Sequence, residues 1–154
     1  MYEILKFLHV LAMFTATTIF VGNGYLLAVI GRSRDVVAIR QSVKASLKLN
    51  PVGGAAVTIG VILGFITALN GNLDLTQTWL ILGYVLTAGV FAMGLGYWTP
   101  KSKALLEAAE ASPVEEPTAE LSQRLVRLGN PVILVFDTLL WASIIFVMVT
   151  KPFS

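Results

Sequence analysis

Four long apolar runs divide this sequence, separated by polar or charged segments. They cover residues 4–30, 52–69, 79–98 and 132–149. Lys6, His9 and Asn23 interrupt the first. At ~1.5 Å per residue, a helix over 4–30 crosses a ~30 Å hydrocarbon core with about two turns to spare. The second and fourth runs are shorter but still lie in the spanning range. The pattern predicts an all-α membrane protein, a four-transmembrane-helix bundle forming a single domain over 1–154.

The polar segments carry helical periodicity of their own. Val36, Ile39, Val43 and Leu47 fall on one face, with Arg40, Lys44 and Lys48 beside them. This predicts a helix that runs on past the membrane or lies on anionic headgroups. Residues 101–111 are rich in Ala, Leu and Glu, and Ser112-Pro113 and Glu116-Pro117 break them. A further helix is predicted from Thr118, a candidate N-cap, to Leu128, with Gly129 as its C-cap. Residues 70–78 form a short polar turn.

Two signatures recur. The first and third runs end in Gly-x-Gly-Tyr, at Gly22–Tyr25 and Gly94–Tyr97. The second and fourth begin with Asn-Pro-Val, at Asn50–Val52 and Asn130–Val132, where proline suits a first helical turn. Together they predict a duplicated helical hairpin, with a pseudo-twofold axis along the membrane normal. Ala56, Gly60, Gly64 and Ala68 recur at steps of four, as do Ala88, Ala92 and Gly96. Both stripes are predicted to be close-contact seams, because helices in lipid pack through small residues.

Composition agrees with this picture and narrows the chemistry. Hydrophobic residues make up 56% and charged residues 13%, against about 25% charged in a soluble domain; mean hydropathy is +0.79. The absence of cysteine excludes disulfides, zinc–thiolate sites, iron–sulfur clusters and thiol catalysis. A net charge of +2 gives no reason to expect a nucleic-acid partner. Nine of the 11 basic residues fall in the two long polar segments and none in 70–78. The positive-inside rule makes those segments cytoplasmic and puts both termini outside a plasma (inner) membrane. Tyr2 and Trp79 are predicted for the outer aromatic belt, and Tyr25, Tyr97 and Trp98 for the inner one. The first run is about twice a signal-peptide core and is read as part of the fold.

Strongly polar residues inside the bilayer are functional candidates, and here they are His9, Asn23 and Asp137. His9 lies roughly 8 Å in from the outer end, at helical rise. Asn23 and Asp137 share a level near the inner end. No His–Asp catalytic pair forms in this topology, so a Ser/His/Asp triad is excluded and the chain reads more as a non-enzyme. Asn23 and Asp137 are candidates for an inner polar cluster with Tyr25, Tyr97 or a loop arginine. That cluster is either a clamp between the first and last helices or part of a proton or ion path.

His9 has three readings. It is an axial haem ligand in the bundle core, with Met148 as sixth ligand and Tyr84 and Thr67 lining the same level. It binds copper with Met13, one turn away. Or it is a hydrogen-bonded packing residue. The stretch Leu5-Lys6-Phe7-Leu8-His9-Val10-Leu11, opening a helix that ends in Val21-Gly22, resembles the first helix of the CopD-related superfamily. That group includes copper-resistance membrane domains, haem-binding protoporphyrinogen oxidases of the HemJ type, and small four-helix membrane proteins, to which this chain is more similar. The resemblance implies haem b at His9. Together these features lead to three functional expectations: a non-catalytic accessory or binding subunit of a larger respiratory or photosynthetic membrane assembly, a haem-binding redox protein, or a copper-handling protein. Its partners would be the lipid bilayer, other membrane subunits or further copies of itself.

Overall fold

A computed structural model describes residues 1–152, and every regular element among them is helical. The order is α1 (Tyr2–Ile30), α2 (Val36–Asn70), α3 (Thr78–Met93), a π-helical turn (Gly94–Trp98), α4 (Thr99–Ala111), α5 (Ala119–Leu128) and α6 (Pro131–Thr150). Four helical stretches are long and apolar enough to cross a membrane: Tyr2–Ile30, Val36–Asn70, Thr78–Ala111 and Ala119–Thr150.

Capping side chains fix several helix starts. The Asp35 carboxylate accepts from the Ala38 N–H at 3.0 Å, the Thr118 hydroxyl from Leu121, and the Asn130 side chain from Val132 at 2.9 Å. In the turn between α2 and α3, Asp74 accepts from the Thr76 hydroxyl at 2.7 Å and from its backbone N–H at 2.9 Å. The Thr76 hydroxyl, followed by its N–H, holds the Asp74 carboxyl below the usual carboxylate range.

The two Asn-Pro-Val copies behave differently. Asn130 and Pro131 open α6 as expected, whereas Pro51 lies inside α2. A proline there removes the partner of the Leu47 carbonyl. The helix continues because both sides of the proline are held: Val36, Ile39 and Val43 pack under α4 and α5, and Gly53 packs on α1. The two Gly-x-Gly-Tyr copies also differ. Gly22–Tyr25 is regular α-helix, while Gly94–Trp98 winds into a π turn. Pro100 explains the second case. It cannot donate to its i−4 carbonyl, and the wider turn makes room, with both the Thr99 N–H and its hydroxyl (2.8 Å) donating to the Gly94 carbonyl.

The most extensive pairing is α1 with α2; α6 packs on α3 and touches α1. The middle of the bundle is filled by Ala16, Val57, Val90, Trp141 and Ile144, and one end by Trp79, Leu80 and Val147. The other end holds a core like that of a soluble protein. There Val36, Ile39 and Val43 of α2 meet Leu105 and Ala109 of α4 and Leu121 and Leu128 of α5. Arg40 ties this end together. Its Nε–H donates to the Ala109 carbonyl at 2.7 Å and its Nη2 to the Ser112 carbonyl, so one guanidinium caps the C-terminus of α4. The exposed Lys44–Glu110 pair at 2.8 Å adds little.

One of the two small-residue stripes is a contact seam. Side chains added at Gly53, Gly60 and Gly64 would collide with Phe20, Met13 and His9 of α1. The α3 stripe departs from expectation: Ala88, Ala92 and Gly96 are exposed, because the face of α3 turned to the bundle carries Leu80, Gly83 and Val90.

Two measurements test this architecture. Thr76→Cys in the short turn and Lys103→Cys on α4 should label from opposite sides of a sealed membrane, since neither competes with another cysteine. Labelling from one side refutes the four-pass arrangement. Arg40→Ala should lower stability by about 1–3 kcal/mol in detergent, because two helix-end carbonyls lose a charged donor. An unchanged melting midpoint would mean that water replaces the cap at no cost.

Candidate functional site

His9 sits in the seam between α1 and α2. Its Nδ1 lies 2.6 Å from the Gly60 carbonyl oxygen. That contact requires a proton on Nδ1, because a carbonyl can only accept; in the neutral ring the lone pair is then on Nε2. The ring occupies space that only a glycine at 64 provides: a Cβ there would lie 2.9 Å from His9 Cε1. Met13, one turn further along, packs its sulfur against Gly60 in the same groove.

The other residues suggested for the His9 level each make contacts of their own. Tyr84 stacks on Phe65, with ring centroids 5.2 Å apart. Its hydroxyl is buried and makes no hydrogen bond. Met148 places its methyl group against Gly83 of α3. The Thr67 hydroxyl donates back to the Leu63 carbonyl at 2.7 Å. No hydrogen bond joins these groups to His9, whose one recorded partner is Gly60. Among the described residues, no three His, Asp or Glu side chains are grouped to hold a metal ion.

At the other end of the bundle, Asn23 and Asp137 are not hydrogen-bonded to each other. The Asn23 amide nitrogen is buried without a partner. Asp137 is 6% exposed and has no ion pair among the described residues. Trp98 stands between the two helices that carry them. Its indole N–H lies beside the Asp137 carboxyl, though no hydrogen bond of ordinary geometry closes. Its far ring edge would be 3.8 Å from a side chain at Gly24, the residue after Asn23. The direct α1–α6 link lies alongside: the Tyr25 hydroxyl and Thr138 Oγ1 are 3.1 Å apart. Tyr97 reaches the Arg127 carbonyl at 3.5 Å.

Trp98 is the residue that the sequence pattern misplaced. Its position at the end of an apolar run suggested an interfacial belt. The π turn before Pro100 instead rotates its indole inward, and a proline just past a spanning helix was the signal for that distortion. Trp141 was also missed. It is 2% exposed at mid-bundle and stacks on Phe20 at 6.1 Å.

The chain belongs to the family described as predicted integral membrane protein (DUF2269), which matches residues 3–152. It is therefore an integral membrane protein, multi-pass with four candidate spans. The match lends no support to a CopD or HemJ relationship. No curated protein and no solved structure matches the chain.

The seam can be tested by substitution. Gly64→Ala should destabilise by about 1–3 kcal/mol, because it meets the His9 ring. The same change at Gly22 or Gly54, where a Cβ meets nothing within 4 Å, should be neutral or stabilising. Adding His9→Ala should recover most of the Gly64→Ala loss in thermal unfolding. Equal effects at all three glycines would show that His9 does not fill this groove.

Proposed function

We propose that this chain is a non-catalytic membrane module that docks against another membrane subunit of a larger assembly, respiratory or photosynthetic. The observation that carries this reading is the outward stripe of α3. Ala88, Ala92 and Gly96 leave a smooth exposed face, with nothing within 4 Å of a side chain built at Gly96. Helices in lipid associate through such faces, where backbones approach closely and dispersion contacts accumulate. The dispersal of His9, Tyr84 and Asp137 among separate packing roles also favours a binding module over an enzyme. In mild detergent, one stoichiometric membrane partner should co-purify with the chain. Ala92→Phe on the stripe should release it, while Val10→Phe on the exposed side of α1 should not. Retention of the partner by Ala92→Phe, or absence of any partner, counts against the reading; a second copy as partner makes the assembly a homo-oligomer.

A second reading is haem b binding at His9. Donation of Nδ1–H to the Gly60 carbonyl supports it, since metal-ligating histidines are oriented by such a bond and present the other nitrogen. The resemblance of the first helix to haem-binding membrane proteins points the same way. Met148, whose methyl group packs on Gly83, is the candidate sixth ligand. Copper is the variant that would use the Met13 sulfur, which lies at Gly60 beside the same bond. Protein from cells supplied with haem and copper separates these cases. A Soret band lost in His9→Ala supports haem, and bound copper lost in both His9→Ala and Met13→Leu supports the metal. A colourless, metal-free protein leaves His9 as a packing residue.

A further inference from the structure

At the end of the bundle that gathers nine of the 11 basic residues, a groove opens between α1 and α6. Tyr25, Ala28 and Arg32 line one wall and Pro131, Leu134 and Val135 the other. The stretch from Arg32 to Tyr25 spans about 10 Å at helical rise. Its floor and walls are apolar, and the one charged side chain among its lining residues is Arg32 at the mouth. Arg32 is exposed and has no ion-pair partner among the described residues.

We infer that this groove is a binding site for one anionic phospholipid, with the phosphate at Arg32 and the first part of an acyl chain along Ala28, Leu134 and Val135. The chemistry matches at both ends: a cation with no protein anion, above an apolar channel running down into the hydrocarbon region. The groove has a volume of ≈ 240 Å³, room for several methylene groups of one acyl chain. The Tyr25–Thr138 hydrogen bond ties the two walls together at the end away from Arg32.

Native mass spectrometry of the full chain in detergent tests this, with phosphatidylglycerol and phosphatidylcholine of identical acyl chains as probes. The wild type should retain phosphatidylglycerol preferentially. Arg32→Gln should weaken that retention about fivefold, the effect of one basic residue near an anionic surface, and leave phosphatidylcholine unchanged. Val135→Trp, which fills the channel, should reduce both lipids. Arg34→Gln, outside the groove, should behave as wild type, and inorganic phosphate should not compete. Equal retention of the two lipids by the wild type, or an undiminished preference in Arg32→Gln with its helical circular dichroism intact, overturns the assignment. Competition by inorganic phosphate would likewise overturn it, by making Arg32 a plain anion site.

Discussion

The close approach of α1 to α2 is the contact on which the rest of this molecule depends. Lipid gives helices almost no hydrophobic reason to associate, so pairing has to come from packing and hydrogen bonds. Gly53, Gly60 and Gly64 let the side chains of α1 settle against the backbone of α2, and the His9–Gly60 bond fixes the register. Only Ala16, Gly24 and Leu27 of α1 are fully buried, so little else orients that helix. Once seated, α1 presents Phe20 to Trp141, Gly24 to Trp98 and Tyr25 to Thr138. A shift of one turn along the seam, about 5 Å, would separate all three pairs.

The two ends of the bundle obey different physics. Beyond the membrane, water is available, and the α2–α4–α5 end is organised as a small soluble core: fully buried Val36, Ile39, Leu105 and Leu121 under an amphipathic α5. There the hydrophobic effect operates at its ordinary strength, about 1.5–3 kcal/mol for each large side chain buried. Inside the membrane that driving force vanishes and geometry takes over. This is why Arg40 is found as a helix cap at the wet end, while the dry interior uses threonine hydroxyls returned to their own helix, as at Thr17, Thr67 and Thr87.

What could be read in the sequence follows the same division. The four spans, the helix over 119–128 with its Thr118 and Gly129 caps, and the α2 seam were legible, because each rests on local periodicity or capping chemistry. Rotation about a helix axis was not. The stripe of α3 has the same spacing as that of α2, and spacing alone cannot say which faces the bundle. Likewise, equal depth placed Asn23 level with Asp137 but could not foresee that Trp98 would come between them. The continuity of α2 through Pro51 was one of two alternatives that the sequence left open, for a related reason. It depends on α4 and α5 holding the flanking turns, a tertiary effect that outweighs the local preference of proline for a helix start.

The recurring signatures sit in different structural settings. In the first copy Gly-x-Gly-Tyr stays α-helical, and its tyrosine, Tyr25, reaches Thr138 across to α6. In the second, Pro100 widens the same signature into a π turn, Tyr97 moves to the Arg127 carbonyl, and Trp98 turns toward the bundle. The small-residue faces differ too, one closed on α1 and the other left open. The first hairpin, α1 with α2, builds the scaffold, whereas the chain from α3 to α6 carries the irregular backbone, the indole beside the buried acid and the open small-residue face. The same short signature therefore takes a different structure wherever a proline lies beyond it.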